Sequence, residues 1–261
     1  MTESVFDEKL ATFRQWQASP WGKLRYTTAA ANLTPHLPGT GLRILDVAGG
    51  NGLDAIELAA RGHHVTVADI SAPALAQART LAEHQGLGDL IDTRVIDADS
   101  LGNAFRHNGF DAVLCHNLLQ YVPDAGTLIE SLASVVAPTG VVSVIAPNAD
   151  ADPLLTAVRN LDLTEALRQL DSPTRHTVTY DTETRACYAD QVTTDLTVAG
   201  LRLVAHCGIR NVCDLIVDDE RKHDPRFFAE LERLELAMAT RAPYIYTARF
   251  FQLIATPGVL G

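Results

Sequence analysis

Leu45-Asp46-Val47-Ala48-Gly49-Gly50-Asn51-Gly52 joins a short apolar run, Leu42–Val47, to a segment of helical periodicity, Leu53–Arg61. Small residues where a strand turns into a helix let the backbone approach a ligand closely. Outward from this turn, strand-like runs at His64–Ile70, Thr93–Ile96, Phe110–Cys115 and Val141–Ala146 alternate with helix-like segments at Ala72–Gln85 and Ala125–Val136. Such alternation predicts a parallel sheet with helices on both faces, and right-handed crossovers make it doubly wound. Two further strand-like runs, Leu201–Ile209 and Tyr244–Thr256, flank a helical Pro225–Thr240 and bring the strand count to seven. Residues 3–36 read as helical with a break at Ser19-Pro20, where Pro20 suits the first turn of a second helix.

The expected class is α/β, a doubly wound, seven-stranded, mostly parallel sheet in a single domain spanning 1–261. Within it, 1–40 forms an N-terminal helical cap and 41–148 a cofactor-binding core. Residues 149–190 form an insertion or lid after the fifth strand, and 191–261 the C-terminal strands and helix. In the insertion, Asp152–Leu170 reads as helical and Asp171–Tyr188 as polar and irregular.

The formal net charge is −11 and only Lys9, Lys23 and Lys222 are lysines. Neither half of the chain is basic, which argues against a nucleic-acid face and for a small-molecule partner. No run of about 18 apolar residues predicts a membrane span, and the charged start lacks a signal-peptide core, so a cytoplasmic location is expected. Cys115, Cys187, Cys207 and Cys213 form no CxxC pair and are read as reduced; no metal is expected.

Two cofactor classes compete for the glycine turn. Gly50-Asn51-Gly52-Leu53-Asp54-Ala55 matches the GxGxxA dinucleotide pattern, with Asp69 ending the next strand. Asp46, at the end of the first strand, favours the other class, because its carboxylate would repel a pyrophosphate and attract the ammonium of a methionine moiety. Asp69, beside Ile70, would accept from both ribose hydroxyls. Asp97-Ala98 would meet the adenine edge, and His116 would face the methyl donor. S-adenosylmethionine is therefore the better fit, leaving S-adenosylhomocysteine as product. The bland alternatives are a capping role for Asp46, a surface-loop acid at Asp97 and a core histidine at 116.

The run LRILDVAGGNGLDAIELAARGHHVTVADIS (42–71) resembles motif I and the following strand of class I methyltransferases, whose fold is Rossmann-like. DADSL (97–101), FDAVLCHNLLQYV (110–122) and VVAPTGVVSVIAPN (135–148) resemble their adenine-side, fourth-strand and fifth-strand motifs. Phe6-Asp7, Gly22-Lys23-Leu24-Arg25, Gly208-Ile209-Arg210, the Glu230–Glu235 segment and Ala242-Pro243-Tyr244-Ile245 look like the bacterial tRNA 5-carboxymethoxyuridine methyltransferases. The resemblance implies that Arg25 clamps the donor carboxylate and that Ala48, Gly49, Gly50, Asn51 and Gly52 cradle the donor. Three departures stand out. Ala48 replaces the first glycine of the turn, and Gln120 stands where an acid is expected. Residues 151–188 hold four arginines, six acids and no lysine, where the tRNA enzymes are lysine-rich. That loss lowers the phosphate-contact contribution to tRNA binding.

The sequence reading is thus methyl transfer to a small aromatic or carboxylate acceptor, with tRNA wobble 5-carboxymethoxyuridine and a non-catalytic donor-binding protein as alternatives. A carboxylate acceptor needs no base; a phenol, amine or carbon nucleophile is helped by one. His116 and Tyr244 are the catalytic candidates, with His206 and His223 behind them. Acceptor-lining candidates are Trp16, Trp21, Tyr26, Gln120, Tyr121, Tyr180, Tyr188, Asp214 and Tyr246. Neither the methylated atom nor an oligomeric state has a motif of its own.

Overall fold

The computed structural model describes residues 10–37, 39–105, 107, 109–177 and 182–258. Two helices lead, α1 (Leu10–Ala18) and α2 (Pro20–Leu33), and Ser19 between them caps α2 by accepting the Gly22 N–H, with Pro20 in the first turn. Then follow β1 (Arg43–Val47), α3 (Leu53–Ala59), β2 (His64–Asp69), α4 (Ala72–His84), β3 (Ile91–Val95), β4 (Phe110–His116), α5 (Ala125–Val135) and β5 (Val136–Pro147). The insertion holds α6 (Leu163–Gln169) and the hairpin β6 (Thr174–Thr177) and β7 (Thr182–Arg185). The chain ends with α7 (Ala189–Val198), β8 (Leu201–Ile209), α8 (Pro225–Met238) and β9 (Phe250–Pro257).

The sheet order is β3-β2-β1-β4-β5-β9-β8; β9 runs antiparallel to both neighbours and the other pairs are parallel. Strand order reverses between β1 and β4, and the crevice at the carboxyl ends there is where open α/β sheets bind ligands. This is the fold the alternation predicts.

Strand periodicity decides which side chains face that crevice. Leu45, Val47, Val113, Cys115, Val142, Val144, Phe251 and Leu253 pack with α5 and α7 on one face. Ile44, Val65, Ala112, Leu114 and Ile254 pack with α3 and α4 on the other, where Ile145 and Phe250 meet Ala29 of α2. In register with this second set stand four polar residues buried in otherwise apolar strands: Asp46, His116, Ser143 and Gln252.

Three expectations need correction, and one stretch without a reading gains an element. The single helix read over Asp152–Leu170 is broken, because a wide turn at Thr156–Asn160 ends in Leu161 at φ 54°. The stretch read as irregular contains the β6–β7 hairpin. Residues 189–198, unassigned in the sequence reading, form α7. The last strand starts at Phe250, since Tyr244–Thr247 makes one helical turn after Pro243. No helix among the described residues is long and apolar enough to cross a membrane, and they hold no cluster of three or more metal-ligating side chains.

Candidate active site

A cavity of about 930 Å³ opens at the switch point. One half is built on the glycine turn. Gly49 is a steric necessity, because a Cβ there would lie 2.5 Å from the Asp46 carboxylate and 2.8 Å from Val67. Gly50 donates its N–H to Asp69 (2.9 Å), which also accepts from Ser71 N–H (2.8 Å), so β2 and the turn are tied through one carboxylate. Asn51 and Gln17 of α1 exchange amide hydrogen bonds at 2.7 and 3.0 Å, clasping the first helix to the turn.

Behind the turn runs a buried polar chain. Arg25 Nη1 donates to both oxygens of Asp54 (2.7 and 2.6 Å), and His116 Nδ1 lies 3.0 Å from the same carboxylate. His116 Nε2 lies 3.0 Å from Ser143 Oγ, which accepts from Gln252 Nε2 at 3.0 Å. Gln252 in turn accepts from Asn32 Nδ2. The acceptor-only carboxylate of Asp54 fixes the Nδ1–H tautomer of His116, leaving Nε2 to accept the Ser143 hydroxyl. Burial pushes the His116 pKa down despite Asp54, so the ring is neutral at pH 7. Burial would raise Asp54, but Arg25 and His116 overcome it and hold that carboxyl well below the usual range.

Asp46 has no such partner. It is 1% exposed, and burial followed by the charge of Asp54 raises its pKa well above the ordinary value. Its Oδ2 makes no hydrogen bond, nor do Arg25 Nε, Asn117 Oδ1 and Gln120 Oε1, all on residues lining the cavity. Buried polar atoms are normally paired. Vacant atoms of opposite charge, a carboxylate oxygen and a guanidinium N–H, therefore fit an amino-acid zwitterion, the end group of S-adenosylmethionine. Tyr26 lies under Arg25 and accepts from Gln17 Nε2 (2.6 Å); burial pushes its phenol up to about 12, so it stays protonated.

The opposite half is rich in arginine. Arg175 grips Asp152 with two hydrogen bonds (2.8 and 2.6 Å), and Arg249 Nη1 donates to the same carboxylate at 2.6 Å. Arg210 forks onto Asp214. Arg210 sits at φ 61° in a loop held by Glu235 of α8, a fully buried carboxylate that accepts the N–H groups of Asn211, Val212 and Cys213.

Arg25, Tyr26, Asp46, Ala48, Gly49, Gly50, Asn51, Asp69, Ile70, Asp97, Ala98, His116, Gln120 and Tyr121 all line the cavity, and Gly52 caps α3 just behind the wall. Asp97 is exposed and accepts the Asp99 N–H. Tyr244 and Tyr246 do not line it; their helical turn leaves the two residues 42% and 53% exposed, and Tyr246 packs edge-on to His206. Trp21 borders only a neighbouring side cavity, and Tyr180 lies outside the described residues. Sequence reading missed Gln17, Asp54, Ser143, Gln252, Asp152, Arg175 and Arg249. Ser143 and Gln252 carried a readable signal, a lone polar residue in each of the apolar strands VVSVIA and FFQLIA.

Fold and cavity define the class I methyltransferase architecture, and the comparisons agree. Residues 44–140 match the methyltransferase domain family model. The chain is 28% identical over 260 residues to the tRNA 5-carboxymethoxyuridine methyltransferase of Escherichia coli (strain K12), covering 98% of this chain and 97% of that protein. It is 32% identical over 120 residues, 46% of each protein, to the ubiquinone biosynthesis O-methyltransferase of Psychrobacter cryohalolentis. Among solved structures, the 1,6-didemethyltoxoflavin-N1-methyltransferase of Burkholderia thailandensis superposes with TM-score 0.62 at 18% identity, covering 98% of this chain and 87% of that one. The chain is an S-adenosylmethionine-dependent methyltransferase.

Proposed function

We propose that the protein transfers the methyl group to a carboxylate of a small acceptor, forming a methyl ester. The observation that carries this reading is the convergence of Arg175 and Arg249 on Asp152 beside the Arg210–Asp214 pair. Three guanidiniums and two carboxylates leave one positive charge in excess. Burial and the like charge of Arg175 press the Arg249 guanidinium downward. An incoming carboxylate offsets the like charge and supplies a countercharge to the buried cation, and guanidinium forks suit it geometrically.

In this reading Asp46 holds the donor ammonium and Arg25 its carboxylate, with Asp69 at the ribose and Asp97-Ala98 at the adenine. Bound S-adenosylmethionine supplies an electrophilic methyl on a sulfonium that leaves without protonation. The acceptor oxygen forms the new C–O bond as the C–S bond breaks, its electron pair passing to sulfur. Alignment is then the main task of the protein, and well-oriented reactants reach effective molarities of about 10⁵ M or more. No base is needed, which suits a site where both His116 nitrogens are engaged and the Tyr26 phenol stays protonated. His116 becomes a positioning group for Asp54 and Arg25. The described residues of the 149–190 insertion act as a lid in this reading, contributing Thr156, Arg159 and Arg175 to the cavity wall.

A second reading, the tRNA wobble carboxylate, is favoured by the near full-length similarity to the Escherichia coli enzyme; the acidic lysine-free insertion weighs against it. The test uses methyl-labelled donor with separated low-molecular-weight and RNA fractions of a cell extract. Methyl esters release volatile methanol in alkali. Alkali-labile counts in the small-molecule fraction, lost in Arg249→Met, are expected. Alkali-stable product would overturn the ester, and labile counts confined to RNA would select the second reading.

A further inference from the structure

Beside the main cavity lies a smaller one of about 150 Å³, walled by Trp16, Trp21, Arg159, Arg210, Asp214, Asp219 and Lys222. Its volume is that of roughly five waters at about 30 Å³ each. Trp16, Arg159, Arg210 and Asp214 border both spaces, so a molecule in the main cavity can send a substituent into the side one.

The charge in this side cavity is unbalanced. Lys222 is 2% exposed, and a lysine is almost never so buried unless it is well paired. Its partner is Asp219, 2.7 Å away and 46% exposed, and that carboxylate is shared with Arg159 Nη2 at 2.6 Å. Arg159 Nη1 is spent on the carbonyls of Asp214 and Ile216. Arg210 is matched one-to-one by Asp214. The Lys222–Asp219–Arg159 triad therefore carries one positive charge more than it neutralises, next to a cavity. An ammonium has three donors, and one hydrogen bond accounts for one of them. The indole faces add to the same pattern, with Lys222 over Trp21 at 5.8 Å and Arg210 over Trp16 at 5.9 Å.

We propose that this side cavity is a subsite for a second anionic group of the acceptor, a phosphate- or carboxylate-sized oxyanion held by Lys222 and Arg159 between the two tryptophans. The acceptor then bears two anions, one methylated beside Arg249 and one anchored here. This rests on the arginine-lined half being the acceptor side.

Trp16 and Trp21 are the only tryptophans in the chain, so indole emission reports on this cavity. The full chain is titrated with inorganic phosphate and, separately, with malonate at constant ionic strength. A saturable emission change is expected, with the tighter of the two probes identifying the source as a phosphate ester or a second carboxylate. It should weaken at least tenfold in Lys222→Met and in Arg159→Gln, and stay within threefold in Arg249→Met. Arg159→Gln removes a partly exposed side chain and keeps the test decisive should Lys222→Met fail to fold. No saturable change with either probe, or one that persists in folded Arg159→Gln, would overturn the subsite. Absence of the anion response with methyl-ester product intact refutes the side cavity alone; the converse refutes the ester reading alone.

Discussion

The two halves of the cavity satisfy their charges in opposite ways. On the glycine-turn side Asp46 Oδ2 and Arg25 Nε lack partners. On the far side each of Arg175, Arg210 and Arg249 already grips a carboxylate of the chain. A site left open in this way is pre-shaped for one ligand whose ends never vary. A site closed on itself must exchange internal partners for the incoming anion, which permits selectivity at some cost in affinity. The half proposed for the donor should therefore respond to substitution as a rigid lock and the half proposed for the acceptor as an exchangeable clasp.

Arg25→Met should have the largest effect. It removes the proposed carboxylate clamp and leaves the half-buried Asp54 without its cation. Breaking a buried ion pair costs about 3–5 kcal/mol, so thermal stability should fall sharply. S-adenosylhomocysteine affinity, read by calorimetry on the folded fraction, should fall about 100-fold, the equivalent of about 2.7 kcal/mol. Arg249→Met comes next. Its loss should cut methyl-ester formation by about 30-fold, a charge-assisted hydrogen bond being worth about 2 kcal/mol, with homocysteine-form affinity unchanged within threefold. Equal loss of donor affinity in both variants would erase the distinction between the halves.

A smaller effect distinguishes the buried Asp46 from the half-buried Asp54 behind the glycine turn. Asp54 is held low by Arg25 and His116, so its stabilising contribution is full above the ordinary carboxylate value of about 3.9 and disappears only as pH falls below it. Asp46 is raised by burial and by Asp54, so it costs stability as pH rises through its pKa. A donor ammonium beside Asp46 favours the ionised form, and donor binding must therefore release a proton from whatever fraction is still protonated. Affinity should rise with pH by a few fold below that pKa and then level off. Calorimetry in buffers of different ionisation enthalpy should register the proton, and Asp46→Asn should abolish the release.

The same contrast explains what could be read from sequence. The half proposed for the donor was visible in the sequence because its groups gather at successive strand ends: Asp69 and His116 close β2 and β4, Asp46 stands one residue before the end of β1, and Asp97 lies in the loop two residues past β3. Asp54 was in view as an unspecified position of the GxGxxA pattern, yet nothing local shows that it neutralises Arg25, 29 residues away. The acceptor half joins Asp152, Arg175 and Arg249, whose spacing follows no period, through a broken helix and a hairpin that the polar composition hid. Aromatic residues near the C-terminus drew attention instead, but the helical turn at Tyr244–Thr247 exposes Tyr244 and Tyr246 to solvent. Side-chain type was informative where backbone geometry was already determined by the sheet, and misleading where it was not.

The smallest effect lies in the turn itself. Ala48 stands at φ 55°, a left-handed conformation that a Cβ disfavours, and occupies the first position of the glycine pattern. Relief of that conformation in Ala48→Gly is worth roughly 1–2 kcal/mol, against roughly 0.4–1 kcal/mol of added chain entropy in the unfolded state. The difference leaves a net gain of about 0.5–1 kcal/mol, a rise of roughly 1–4 °C in Tm for a chain of this size. S-adenosylhomocysteine affinity should be unchanged within twofold, because the alanine methyl makes none of the polar contacts of the donor half. A fall in Tm would mean that the surrounding backbone, through the Gly49 N–H to Ala68 carbonyl and Gly50 N–H to Asp69 bonds, holds residue 48 without strain. A loss of affinity alone would mean that the Ala48 methyl packs against the donor, and the lock would then be steric as well as electrostatic.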